Sequence, residues 1–225
     1  MSVTLQSYEQ YRTPRAYEWM MRVGDPRTPP ILFVPPLFEE LNRTRAMIAS
    51  LMRLLALEGH GCWLPDLNGA GESLLPLEAT SWTDWSDSIA AASAHVEAAS
   101  GRKPVMASIR GGCLLDGAAD GACWWRFAPV TGRALARDLD RAGIAGGAEW
   151  AGYPASAELR ESLALSEAPE VSRLRTVRLE TDAAPADMKV PGPALWRRSE
   201  PGNAPAVAAA LASDLNEWSR TCAAS

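Results

Sequence analysis

Short apolar runs alternate with longer segments whose apolar positions recur at helical spacing, and the alternation persists along most of the chain. Ala16 to Val23 reads as an early strand turned by Gly24-Asp25-Pro26. Ile31 to Val34 is a continuous apolar run closed by Pro35-Pro36, which suits a strand buried on both faces. From Glu40 to Glu58, Met47, Ile48, Leu51, Met52, Leu54 and Leu55 fall on one helical face, and Gly59 ends the helix. Cys62 to Leu64 follows as a strand and leads into the glycine-rich loop Asp66 to Ser73. A helix over Trp82 to Ala99 precedes a strand at Pro104 to Ala107. Cys123 to Phe127 is the next strand, and Thr131 to Arg141 the next helix. Leu174 to Thr181 alternates as a late strand, Pro193 to Trp196 is read as the last one, and Pro205 to Trp218 closes the chain as a helix.

That order specifies an α/β class with a mostly parallel sheet and helices on both faces. Residues 1–225 are read as one domain, with 143–169, including a helical piece at Ala157 to Leu165, as a vestigial cap. In such sheets ligands bind beyond the carboxyl ends of the strands. Phe38, Asn42, Arg110, Gly111, Gly112, Asp182 and Trp196 are therefore candidate cleft residues.

The segment Ser108-Ile-Arg-Gly-Gly112 carries the sharpest signal. It lies between a strand and an Ala/Leu/Gly-rich stretch read as a helix, in the pattern small-x-nucleophile-x-small of a nucleophile elbow. Arg110 occupies the nucleophile's position, and a guanidinium cannot attack a carbonyl. A serine hydrolase also needs a histidine after the last strand. The chain has two histidines; His60 falls at the amino end of a strand and His95 inside a helix, so both read as structural. Ser108, two residues before the tip, reads as a small residue packed under the turn, with a nucleophile's role as the alternative. Cys113 sits near a helix amino end, where thiols are activated, but Leu114 and Leu115 mark it as core. A further enzymatic route uses Glu39, Glu40 or Glu72 as acid or base, with Arg110 polarising the substrate. A buried arginine needs a partner. Glu39 and Glu40 are the nearest candidates, and an anionic ligand is the alternative.

Further motifs add a family resemblance. Phe33-Val-Pro-Pro-Leu-Phe-Glu-Glu-Leu-Asn-Arg-Thr-Arg45, Asp66-Leu-Asn-Gly-Ala-Gly-Glu-Ser73, Trp125-Arg-Phe-Ala-Pro-Val-Thr-Gly-Arg133, Glu149-Trp-Ala-Gly-Tyr153 and Gly192-Pro-Ala-Leu-Trp196 occur in order. Together they resemble the exosortase A system-associated hydrolases of type 2, a branch of the α/β-hydrolases. The resemblance implies an α/β-hydrolase fold, an arginine at the elbow, and a bacterial protein of exopolysaccharide systems; the chain departs from the family in being short, so little or no cap is expected. It implies ester or thioester hydrolysis if the chain acts as an enzyme. The rival reading is a catalytically silent fold binding a small anionic, acyl or glycan-related ligand, or a protein partner.

Composition narrows this further. A net charge of -5 argues against nucleic-acid binding. No apolar run reaches the roughly 20 residues that span a bilayer, so membrane insertion is not expected. The polar first 20 residues lack a leader pattern. Cys62, Cys113, Cys123 and Cys222 form no C-x-x-C pair, which argues against a metal site. Three of them lie in or beside apolar segments and read as buried thiols of a reducing compartment, so cytoplasm is the expected location. No motif calls for a cofactor. Nine tryptophans are many for this length; aromatic faces suit sugars, but most tryptophans serve as core.

Overall fold

The computed structural model describes residues 6–142 and 150–223. Eight strands form one sheet: β1 (Gln6–Arg12), β2 (Tyr17–Val23), β3 (Pro30–Val34), β4 (Gly61–Pro65), β5 (Val105–Ile109), β6 (Cys123–Phe127), β7 (Leu174–Leu179) and β8 (Met188–Val190). Their order is β1-β2-β4-β3-β5-β6-β7-β8. β1–β2 and β2–β4 pair antiparallel, and every other pair is parallel.

Helices α1 (Glu39–Leu57) and α5 (Pro205–Ala223) cover one face of the sheet. Helices α2 (Trp82–Ser100), α3 (Gly132–Ala142) and α4 (Ala157–Leu165) cover the other. The side chains divide with the period of two that a strand imposes. Ile31 and Phe33 of β3, Ala107 and Ile109 of β5, and Trp125 and Phe127 of β6 join the α1/α5 layer. Leu32, Val34 and Met106 join the α2 layer. Because β3 to β6 are buried on both faces, they read as near-continuous apolar runs, interrupted by Ser108 in β5 and Arg126 in β6, rather than alternating ones.

α2 begins with a capping box: Ser81 accepts from the Asp84 N–H while Asp84 accepts from the Ser81 N–H. α3 and α4 approach so closely at Gly132 that a methyl there would meet Leu163 O at 1.8 Å. The cap expected over 143–169 lies partly outside the described residues. Within them, α4 buries Leu159 and Leu163 against the α2 layer.

Three expectations are corrected. The stretch after the elbow is no long helix but a short 3-10 turn, Arg110–Leu114. Gly111 and Gly112 weaken helical propensity. Asp116 then turns inward: its carbonyl accepts from Trp124 Nε1 at 2.9 Å and its carboxylate from Arg126. The last strand is Met188–Val190, and Leu195–Arg197 is a 3-10 turn. Pro191 and Pro193 carry no N–H for a ladder, so pairing stops before them. Finally, Cys123 and Cys222 form a disulfide across Cα atoms 6.2 Å apart, tying β6 to α5; only Cys62 and Cys113 are free and buried thiols. β1 was missed because its outward positions, such as Tyr8 and Gln10, are exposed and give no apolar run.

Candidate functional site

At the carboxyl end of β5 the chain reverses sharply. Arg110 lies in the left-handed region at φ 53°, a conformation that side chains other than glycine rarely adopt. The turn fits only because the next two residues are glycines. A methyl at Gly112 would sit 2.4 Å from Val34 O and 2.5 Å from Pro35 O; one at Gly111 would sit 2.7 Å from Leu135 Cδ2. Backbone oxygens cannot move aside as a side chain can. Gly112→Ala is therefore expected to cost about 1–3 kcal/mol or more by overpacking, measured by urea unfolding. A stability unchanged from wild type would show that the elbow is looser than described.

The Arg110 side chain does not project into open cleft. Its Nε and Nη2 donate to Glu40 Oε1 at 3.0 and 2.7 Å, and its Nη1 donates to Ala128 O at 3.3 Å. The indole of Trp196 stacks on it, 4.6 Å from the guanidinium carbon to the ring centroid. Arg110 is 8% exposed and Glu40 7%. Glu40 stands in the first turn of α1, right after the β3 loop that supplies one oxyanion-hole donor in hydrolases. Burial pushes the Glu40 carboxyl above the usual carboxylate range; the Arg110 guanidinium and the Gly111 N–H pull it back without cancelling the shift. The second oxygen, Oε2, is buried with no hydrogen bond of good geometry among the described residues.

Of the two carboxylates offered to Arg110 by the sequence, the helix turn selects Glu40. Glu39 faces elsewhere: it accepts from the Tyr153 hydroxyl at 3.0 Å and from Asn42 Nδ2 at 3.3 Å, and Arg43 Nε lies 3.7 Å away. Phe38, also at positive φ (55°), packs edge-on against Trp85, Trp150 and Tyr153 with centroids 5.3–5.7 Å apart.

The remaining candidates divide between this centre and places outside it. Ser108 points into the α2 layer, paired in register with Arg126. It is buried beside Asp116, with no hydrogen bond of good geometry from its Oγ. There Asp116 and Arg126 form a buried bidentate pair at 2.7 and 2.8 Å that the sequence reading missed. The signal for it was an arginine inside an otherwise apolar strand. Burial pushes the Cys113 thiol well above its ordinary range, which keeps it protonated and unreactive. Asp182 is engaged by Arg178 Nη1 at 2.7 Å and the Ala184 N–H at 2.9 Å. Burial alone would raise its pKa, but those donors hold it below the usual range. His60 bonds Asn216 at 2.9 Å at the amino end of β4, and His95 on α2 faces Glu9. Neither approaches the elbow edge of the sheet.

Two cavities flank the first turns of α1. One, of about 610 Å³, lies over Glu39, Glu40, Arg43 and Trp196. The other, of about 400 Å³, lies between the β3 and β4 loops and is lined by Phe38, Leu41, Asn42, Arg45, Glu72, Trp85 and neighbouring residues. Glu72 thus belongs to the second cavity, away from Arg110. Among the described residues no three His, Cys, Asp or Glu side chains gather to hold a metal ion, and no helix is long and apolar enough to cross a membrane.

No protein-family profile matches the chain, and no curated protein does. Solved structures do. The chain is similar to a thioesterase domain from the curacin biosynthetic pathway (13% identity, TM-score 0.61, covering 94% of this chain and 99% of that one). It is also similar to a putative aryl esterase from Burkholderia cenocepacia (18%, 0.61, covering 97% and 100%). A third is an α/β serine hydrolase without a lid from Xanthomonas campestris (12%, 0.58, covering 98% and 96%). At these identities the likeness is one of fold, and the fold is that of the α/β-hydrolases.

Proposed function

We propose that this α/β-hydrolase fold is a catalytically silent binding protein whose ligand enters the cavity between the β3 and β4 loops. The observation that carries the reading is the Arg110–Glu40 ion pair. It fills the nucleophile's position with a cation and sets a carboxylate where a hydrolase would collect an oxyanion. The Glu40 carboxylate engages the Arg110 donors that could otherwise serve a developing oxyanion, and the elbow has no histidine to take a proton. The adjoining cavity of about 400 Å³ falls within the range of small-molecule sites; among its lining residues Leu37, Leu67, Leu77 and Trp85 are buried, whereas Asn42, Arg45 and Glu72 are exposed.

The motif resemblance supports a role beside an exosortase-linked exopolysaccharide system. A cytoplasmic setting rests on that resemblance alone, since the Cys123–Cys222 disulfide removes the support that buried reduced thiols would lend.

A panel of acyl p-nitrophenyl esters and acyl thioesters tests the reading. Wild type is expected to turn over none of them faster than buffer. Turnover that disappears in Ser108→Ala but survives in Arg110→Ala would establish a serine hydrolase and end the binding reading.

A further inference from the structure

We propose that the cavity between the β3 and β4 loops takes a free α-amino acid with a large apolar or aromatic side chain. The inference rests on the binding reading above and names the chemistry of its ligand.

The interior of the cavity is apolar: Pro36, Leu37, Leu41, Leu67, Leu77 and the Trp85 indole. Trp85 is held rigidly, its Nε1 donating to Asn68 O at 2.9 Å and its ring meeting Phe38 edge-on at 5.4 Å. An aromatic or branched side chain finds a fixed wall there without having to order the site itself.

The mouth is different, because two charges of opposite sign line it from separate elements. Arg45 comes from α1, one turn beyond Leu41 on the same helical face, and Glu72 comes from the β4 loop. Asp66 ties these two sides together. It accepts from the Glu72 N–H at 3.1 Å and lies 3.8 Å from Arg45 Nη2. At that length the ion pair is loose, and the Arg45 side chain is 45% exposed, so its fork keeps donors for a ligand carboxylate. The Glu72 carboxylate makes no ion pair among the described residues and stands free to accept from an ammonium.

The charge balance chooses the ligand's head group. A lone carboxylate on Arg45 would face Glu72 as a like charge, and a lone ammonium on Glu72 would face Arg45. A neutral head would leave both rim charges with water only. An α-amino acid satisfies both at once and carries its side chain inward.

Isothermal titration calorimetry with L-phenylalanine, 3-phenylpropionate, 2-phenylethylamine and 2-phenylethanol separates these cases on the intact chain. L-Phenylalanine is expected to bind at least about tenfold tighter than each of the other three, the scale of one charge-assisted hydrogen bond. Arg45→Gln should erase its advantage over the amine, and Glu72→Gln its advantage over the acid. Leu41→Trp, which fills the cavity, should abolish binding of all four. If the truncated probes bind as tightly as L-phenylalanine and Leu41→Trp still abolishes them, amino-acid recognition is wrong while the binding cavity stands. If L-phenylalanine gives no heat, or binds Leu41→Trp as it binds wild type, the proposal is overturned. Ester turnover, measured separately, is the result that removes the binding reading beneath it.

Discussion

Glu40→Ala is expected to destabilise the protein by about 3–5 kcal/mol, because it strands the Arg110 guanidinium in the interior without its counter-ion. Both donors on that side of the fork end on Glu40 Oε1. What remains after the substitution is one 3.3 Å contact to Ala128 O and the Trp196 ring, too little to replace water around a full charge. The converse variant, Arg110→Met, should carry a pH signature. The Glu40 carboxyl is already raised by burial and rises further once the cation is gone. A carboxyl raised in the folded state contributes stability that is fully present below its unfolded pKa and is lost as pH rises through the folded value. Arg110→Met should therefore lose most stability near neutral pH and less near pH 4. Arg110→Met/Glu40→Leu, which removes both charges, should return to within about 1 kcal/mol of wild type, since buried pairs seldom outperform well-packed apolar replacements. Urea unfolding at two pH values checks all three. A loss below about 1 kcal/mol in Glu40→Ala would mean the arginine is solvated and the centre open.

The second large effect is expected from the Cys123–Cys222 disulfide. It joins the start of β6 to the last turn of α5 across a sequence separation of 99 residues. Closing a loop of that length removes unfolded-state entropy worth up to about 4–5 kcal/mol, and measured losses for native bridges run about 2–5. The Cys123→Ser/Cys222→Ser variant should accordingly melt roughly 10 °C lower. In that variant the melting temperature should be indifferent to reductant, because the remaining cysteines, Cys62 and Cys113, are buried and unpaired. Alkylation in denaturant offers a direct count: two thiols should react before reduction and four after it. Four reacting before reduction would show that the bridge is not formed and would restore the reading of buried thiols in a reducing compartment.

The sequence pattern carried the layered architecture because burial and periodicity coincide in it. Ile31 to Val34 and the Met47 to Leu55 face are apolar wherever the sheet needs them, so β3 and α1 stand within a residue of expectation. The exceptions have physical causes. Leu195-Trp196 has strand-like composition, but the flanking prolines deny it a ladder, and the last strand is only three residues long. The stretch after Gly112 has helical composition, yet Asp116 gains more from Arg126 and Trp124 than from a solvated helix face. At the site, one arginine at an elbow with two acids in reach was legible; the choice of Glu40 over Glu39 was not. That depends on the rotation of α1, since successive helical residues point about 100° apart. The β3–β4 cavity could not be read either, because it is built from segments far apart in sequence, from Pro35 to Tyr153.

The central claim is that the elbow holds a charge pair and no working nucleophile. Incubating the folded protein with a fluorophosphonate and reading its intact mass tests it most directly. The expected result is an unmodified mass in wild type, with Ser108 sealed beneath the sheet end and Arg110 at the tip. A stoichiometric adduct that maps to Ser108 and vanishes in Ser108→Ala would contradict the claim.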